Sequence, residues 1–410
     1  MTHETTQPAM SDDERAYRAA AREWLLANTD PIETDTGFST MHWMITPEEE
    51  AAHHARCGEM TRKLHAAGYT AITVPKEYGG QGGESWMQRA FTEEAADRNV
   101  NTGFYGSIIG MAAPALLYFG TEEQKQTHLR GMVSGEVSWC QLFSEPGAGS
   151  DLAGLGARAE RDGDEFVING QKVWNSAAMY ADMGILLVRT DPDAVKHAGI
   201  TFLLFDMRQP GVEVRRLVQA NGAGHFAEVF LSDARCPVDN VLGGVNEGWG
   251  PTRLVMANES AVIGGGTVDT AAKLVELARM TGRSDDRVIR QRLADVYTRQ
   301  QLLRHMSGQI GAAAREGRPM PIDPSVVKLY VAENRRREGD LAQELLGAAG
   351  VAVTHEASEW AMETLVSRYP ISIGGGTNEV HRNNLGERAL GLPRDIRVDK
   401  DVPWKSIPKG

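Results

Sequence analysis

Apolar positions recur at helical spacing in the first and last thirds of the chain, and cluster in short blocks between them. Ser11 and Glu14 in SDDE have the spacing of a capping box and open an Ala-rich helix predicted to reach about Ala27. A second helix is predicted from Pro47 to about Ala67, and GYTAITVPKEYGGQGG then begins as an extended segment and ends in a Gly-rich turn. MQRAFTEEAADRN and TEEQKQTHLRGMVSG read as helices again. The pattern changes near Glu136, where VSWCQLF, EFVINGQKVWNS, MGILLVRT, ITFLLFDM, VEVRRL and AEVFLSD form β-rich runs divided by Gly, Asp and Pro. The Asn-Gly pair in DGDEFVINGQKVW favours a tight hairpin. Strands without intervening helices predict an antiparallel barrel or sandwich. Helices return over Thr252–Thr281, Asp285–Glu316, Ser325–Leu346 and Ala352–Ser367, long enough for a four-helix bundle. The expected architecture is α+β: a helical domain over 1–136, a β domain over 137–245 and a helical bundle over 246–410.

The length of 410 residues suits two or three domains. A net charge of −12 disfavours nonspecific binding to nucleic acid or an anionic membrane, although a local basic patch could still hold a phosphorylated ligand. Cys57, Cys140 and Cys236 lack metal-ligand spacing, and their small odd number predicts a reduced, cytoplasmic protein. The start lacks the apolar core of a signal peptide, and the run MAAPALLYF from Met111 is too short to span a bilayer, so a soluble protein is expected. HHARC at His53–Cys57 invites a metal reading, but its polar helical surroundings favour a solvated face; no metal is expected. A nucleophile-elbow Gly-x-Ser-x-Gly is absent.

One pentapeptide occurs twice, as IGGGT at Ile263–Thr267 and again at Ile373–Thr377. A phosphate cradle, a hinge, an internal repeat or a cleared pocket wall would each use three glycines. The two copies lie in different surroundings, which disfavours a repeat. Elsewhere PGAGS at Pro146–Ser150 offers close backbone approach and several N–H donors beside a polyphosphate or an electron-rich ring.

The stretch WCQLFSEPGAGSDLAG, followed by NGQKVWNS, resembles the flavin-binding β domain of the acyl-CoA dehydrogenase family. The resemblance runs from YRAAAREWL through VPKEYGGQGG to TNEVHRNNLGERALGLP, about 380 residues, roughly nine-tenths of the chain. It implies FAD as cofactor, lined by Gln141, Phe143, Ser144, Gly149 and Ser150, with the Ser144 and Ser176 hydroxyls at the isoalloxazine edge. Trp174 matches the indole packed against the flavin, with Asn175 beside it; the competing reading is a core tryptophan on a strand. Gly376, Thr377 and Glu379 match further flavin contacts, Arg279 a contact made across a subunit interface, and Ser150 a residue near the CoA thioester arm.

In most of that family the catalytic carboxylate stands where this chain has Gly375. The isovaleryl-type and long-chain members carry it instead on the first long helix of the C-terminal domain, where the match here is Glu259 in ANESAVIGGG. The second glycine run is then a cleared wall, and the Gly375 N–H still polarises the thioester carbonyl. The first run is read as helix packing. The rival reading of Glu259, a solvated helix carboxylate, sits poorly with its uncharged neighbours; burial would raise its pKa toward that of a useful base.

The family's usual motifs change at Ser260 (for Arg), Gly282 (for Phe) and Glu344 (for Gln, unless it has slipped to Gln343). These departures resemble actinobacterial members of steroid or branched-acid degradation, some of which pair with a related chain. The resemblance implies dehydrogenation of an acyl-CoA, an electron-transferring flavoprotein as acceptor, and a homotetramer or heterotetramer. A flavin oxidase or heteroatom-oxidising enzyme on the same fold, or a noncatalytic subunit, are the alternatives.

Overall fold

The computed structural model describes residues 10–32, 38, 46–263, 270–394, 396, 399 and 401–408. The N-terminal part contains α1 (Asp12–Asn28), α2 (Pro47–Ala66), α3 (Ser85–Glu94) and α4 (Gly103–Phe119), then the short turns α5 (Glu122–Gln124) and α6 (Arg130–Ser134). Ser11 caps α1, its hydroxyl accepting from the Glu14 N–H at 3.1 Å. Thr46 opens α2 with a reciprocal capping box: Glu49 N–H donates to Thr46 Oγ1, and Thr46 N–H to the Glu49 carboxylate. Each bond satisfies a donor the first helical turn would otherwise leave orphaned. The expected extended start after α2 does not form a strand. Ala71 takes a positive φ, Val74 N–H bonds back to Ala71 O, and Ile72 and Val74 turn inward to pack.

The middle of the chain forms one seven-stranded sheet: β1 (Trp139–Leu142), β2 (Arg158–Asp162), β3 (Glu165–Lys172), β4 (Met183–Arg189), β5 (Ile200–Asp206), β6 (Val212–Leu217) and β7 (Phe226–Pro237). The order is β1-β4-β2-β3-β7-β6, with β5 also paired to β4. Pairing is antiparallel except where β4 runs parallel to β1 and meets β2 at Arg158 and Arg189. That parallel pairing needs a long crossover, and β2 and β3 supply it. The near-continuous apolar runs of β4 and β5 follow from cover on both faces. Ile185, Leu187, Phe202 and Leu204 point into a core shared with α4, whereas Leu186, Val188, Leu203 and Phe205 point into the core within the sheet.

The Asn-Gly pair is not the hairpin turn. Asp162 pairs with Glu165, so the chain reverses at Gly163–Asp164, where Gly163 has φ +62°. Asn169 and Gly170 lie inside β3 at a bulge, with Asn169 Nδ2 donating to Asp233 Oδ1 at 2.9 Å. Glycine is required there for contact: a Cβ would come within 2.6 Å of the Ala157 side chain.

The C-terminal part contains α7 (Trp249–Ile263), α8 (Thr270–Met280), α9 (Arg287–Arg315), α10 (Pro324–Leu346), α11 (Ala348–Ala352), α12 (Ser358–Val366), α13 (Pro370–Ile373) and α14 (Asn378–Asn384). Leu274, Leu277, Ile289, Val296, Leu341, Leu345 and Trp360 build the bundle core from α8, α9, α10 and α12. The helix expected over Thr252–Thr281 is represented by α7 and α8; the glycines of the first IGGGT copy lie outside the described residues. The helix expected from Ala352 begins only at Ser358, because Val353 leaves α11 with φ +51°. Among the described residues no helix is long and apolar enough to cross a membrane. Leu186 is fully buried in the sheet core. Leu186→Ala is expected to lower stability by roughly 2–5 kcal/mol, and the volume-conserving Leu186→Met by less than about 1.5 kcal/mol, read from urea unfolding midpoints.

Candidate active site

A cavity of about 2400 Å³ opens where α4, α7, the end of β1 and the turn after α13 converge. Gln141, Phe143, Ser144, Gly149, Ser150, Trp174, Asn175, Ser176, Glu259, Gly375, Gly376 and Thr377 all line it. Residues far apart in sequence thus meet on one surface.

The loop after β1 is held by a buried ion pair. Lys172, at the end of β3, has no exposed surface; its ammonium reaches Glu145 Oε1 at 2.7 Å and Phe143 O at 3.0 Å. Burial pushes the Lys172 pKa down, and the Glu145 charge opposes that shift. The Glu145 carboxylate also accepts from the N–H groups of Gly156 (2.7 Å) and Ala157 (2.9 Å). Arg189 pins the far side of the loop by donating to Ala153 O and Lys196 O, each at 2.6 Å. With its base fixed, the loop presents Gly147 and Gly149, where a Cβ would meet nothing within 4 Å. Sequence reasoning passed over Glu145 and Lys172 as functional residues, although both stand inside the Ser-Glu-Pro and Asn-Gly-x-Lys runs. It also passed over Arg253, His381 and Arg388 on the cavity wall.

Trp174 is not a core residue. It adopts φ +64°, leaves its indole 60% exposed at the cavity, and meets Phe226 edge-on with centroids 5.9 Å apart. Asn175 is buried instead and acts as a clamp. Its Nδ2 donates to Gln141 O at 2.8 Å, and its backbone exchanges hydrogen bonds with Ala227. Ser176 follows on the same turn and faces the cavity.

Glu259 lies on α7, whose Val255 is packed in the core containing Ile108, Ala112 and Leu116 of α4. The carboxylate is largely buried, and burial raises its pKa. Gln141 Nε2 donates to Glu259 Oε2 at 3.5 Å, a weak bond that opposes the rise by favouring the anion. This places a carboxylate of raised pKa on a cavity wall.

Elsewhere on the cavity lining, Gly375 and Gly376 have φ +65° and +92°, a region disfavoured for any side chain. The second glycine run is therefore a turn on that lining. Arg279 and Glu379 do not line the cavity. Arg279 is solvent-facing at the end of α8 and pairs with Glu276, and Glu379 pairs with Arg382. Glu344 pairs with Arg292 and lies 3.9 Å from Arg283. The α2 face expected to be solvated is partly packed: His54 lies between the rings of Tyr105 and Tyr180, and Cys57 is buried. Among the described residues no group of three or more His, Cys, Asp or Glu side chains could hold a metal ion.

The helix–sheet–helix order, with this cavity at the junction, defines an acyl-CoA dehydrogenase fold. The family's N-terminal, middle and C-terminal domain models match residues 11–136, 140–234 and 244–390, and the chain belongs to this family of oxidoreductases. It is 37% identical over 396 residues to acyl-CoA dehydrogenase IpdE1 of Mycobacterium tuberculosis (strain ATCC 25618 / H37Rv), covering 94% of this chain and 99% of that one. Among solved structures it resembles a chain of the ChsE4-ChsE5 complex from Mycobacterium tuberculosis, with TM-score 0.71 and 30% identity over 95% of this chain and 100% of that one. It also resembles a chain of the Tcur3481-Tcur3483 steroid ACAD, with TM-score 0.72 and 27% identity, covering 94% and 99%.

The buried pair yields a test of loop integrity. Lys172→Met leaves Glu145 without its counter-charge and is expected to cost about 3–5 kcal/mol. The double variant Lys172→Met/Glu145→Gln should recover part of that loss, measured as apparent stability in a double-mutant cycle.

Proposed function

We propose that the protein catalyses FAD-dependent α,β-dehydrogenation of an acyl-CoA thioester, with Glu259 as the α-proton base. The observation that carries this reading is the buried Glu259 carboxylate on a cavity that is also lined by Gly375, which has no side chain. The open space over Gly149 and the exposed Trp174 indole, both on the cavity, fit a flavin laid against the β domain. Gln141, Phe143, Ser144, Gly149, Ser150, Trp174, Ser176, Gly376 and Thr377 would hold it, with Asn175 fixing the turn beneath. Arg279, outside this cavity, is assigned to a flavin contact across a subunit interface, and Glu379, also outside it, to a further flavin contact. When bound, FAD supplies the acceptor for the hydride leaving Cβ.

Glu259 receives the α-proton on its carboxylate, and Gly375 N–H donates to the thioester carbonyl oxygen as negative charge develops there. Ser150, on the cavity lining, is assigned to the thioester arm. The product is the trans-2-enoyl-CoA, with electrons passing to an electron-transferring flavoprotein. Two of the structural relatives are two-chain complexes, and with Gly282 and Glu344 replacing the usual interface residues we assign a heterotetramer with a related chain.

Glu259→Gln is expected to retain FAD and bind acyl-CoA while flavin bleaching slows by roughly 10²–10⁴-fold. Full activity in that variant would move the base elsewhere. Gly375→Glu in the same background should rescue poorly, because Gly375 occupies positive φ. Anaerobic titration with straight, branched and steroid acyl-CoAs identifies the acyl group. Reoxidation should be fast with a flavoprotein acceptor and slow with oxygen; stoichiometric peroxide at a comparable rate would favour an oxidase.

The pH dependence has a defined sign. Glu259 works as the anion and its pKa is raised, so the acid limb of kcat should lie above the ordinary carboxylate range. Gln141→Leu removes a donor that favours the anion, so the limb should move to higher pH. An unchanged or acid-shifted limb would contradict this coupling.

A further inference from the structure

We propose that His381 and Lys328 are positioning residues that lock the Gly375–Gly376 turn with its amide donors facing the cavity. The inference rests on the reading of this turn as the wall that receives the thioester carbonyl. His381, on α14, is buried and places Nε2 2.9 Å from Gly375 O. A carbonyl only accepts, so Nε2 is the donor in this bond. Nδ1 is buried and has no hydrogen-bond partner among the described residues. An imidazole used on one nitrogen only, with the other left unsatisfied, is poorly explained by packing, which an apolar side chain would serve at lower cost.

The next carbonyl is held the same way. Lys328 comes from α10 and is buried, and its ammonium lies 2.5 Å from Gly376 O and 3.2 Å from Asn378 Oδ1. Two donors from different helices thus fix two successive carbonyls. In a trans peptide the C=O and N–H point in opposite directions. Anchoring Gly375 O at His381 therefore directs the Gly376 N–H away from the imidazole, and Lys328 fixes the following plane with the Thr377 N–H; the Gly375 N–H, in the preceding plane, is positioned through the Cα it shares with the anchored one. Among the described residues, the N–H groups of Gly375 and Gly376 donate to no acceptor. Gly374 to Thr377 line the cavity, as does His381. A Cβ on Gly376 would come 3.1 Å from His381 Nε2, so glycine lets the ring approach its acceptor.

Donors fixed before a ligand arrives require no reorganisation when charge develops on the oxygen they face. The ligand group is an oxygen carrying or gaining negative charge. The thioester carbonyl is the source we assign; a cofactor phosphate is the competing source of the same chemistry.

The test uses the full-length flavoprotein in a Glu259→Gln background, which prevents turnover. Calorimetry compares octanoyl-CoA with its thioether S-octyl-CoA, which lacks the carbonyl oxygen. His381→Leu is expected to weaken octanoyl-CoA binding roughly tenfold and leave S-octyl-CoA unchanged, the loss of about one hydrogen bond. His381→Gln, which restores a donor, should recover most of the difference, and FAD content per chain should stay constant. Should His381→Leu fail to fold, Lys328→Met is measured in its place, with the same selective loss expected. Equal weakening of both ligands, or of neither, overturns the proposal. Loss of FAD with thioester discrimination intact also overturns it, in favour of the phosphate source. If the unsubstituted flavoprotein binds none of the straight, branched or steroid acyl-CoAs, the acyl-CoA reading fails first and the positioning role with it.

Discussion

The site depends on one buried charge pair, Lys172 with Glu145. The loop between β1 and β2 has no ladder to hold it, yet most of the cavity's β-domain lining comes from it or from the turn after β3. A lysine without solvent contact is costly unless its charge is matched and its hydrogens are used. Here both conditions hold, since the ammonium bonds Glu145 and Phe143 O. Glu145 in turn collects the N–H groups of Gly156 and Ala157, so one carboxylate closes the loop on itself. Arg189 does the same for the carbonyls of Ala153, Leu155 and Lys196, and stacks 4.8 Å from the Trp404 ring. Two cations thus organise a segment that secondary structure leaves free, and glycines can face the cavity without the loop collapsing.

A second constraint is steric and electrostatic together. Glu259 is carried by α7, which is fixed by packing against α4, and its carboxylate meets Gln141 from β1. Opposing tendencies set its basicity: burial disfavours the anion, and one amide hydrogen favours it. The glycine turn on the same cavity is anchored through its carbonyls by His381 and Lys328. Its positive φ values explain why glycine is suited there even apart from the space a side chain would fill.

Much of this was legible along the chain. The helix–strand–helix order follows from hydrophobic period, and the cap at Ser11 from local side-chain chemistry acting over three residues. Ser-Glu-Pro-Gly-Ala-Gly-Ser and Asn-Gly-x-Lys-x-Trp marked the β-domain wall because their residue types serve one local task. Glu259 was marked by its match to the isovaleryl-type members of the family, and its uncharged neighbours spoke against a solvated face.

Other features depended on contacts that no local pattern encodes. Asn169–Gly170 has the composition of a hairpin turn, yet the sheet register places it mid-strand, where Ala157 leaves no room for a side chain. Ile72 and Val74 have β-branched side chains but are turned inward by backbone bonds to their neighbours. Trp174 and Asn175 exchange the roles their polarity suggests: the indole is exposed and the amide buried, because the amide is needed to tie β1 to the turn. The sequence alone determined element type, domain order and the residues able to do chemistry, since those depend on spacing and side-chain type. Tertiary structure decided which of them share a cavity, which charge is buried against which partner, and which carbonyls are anchored, because each requires side chains separated by tens to hundreds of residues to meet within a few ångströms.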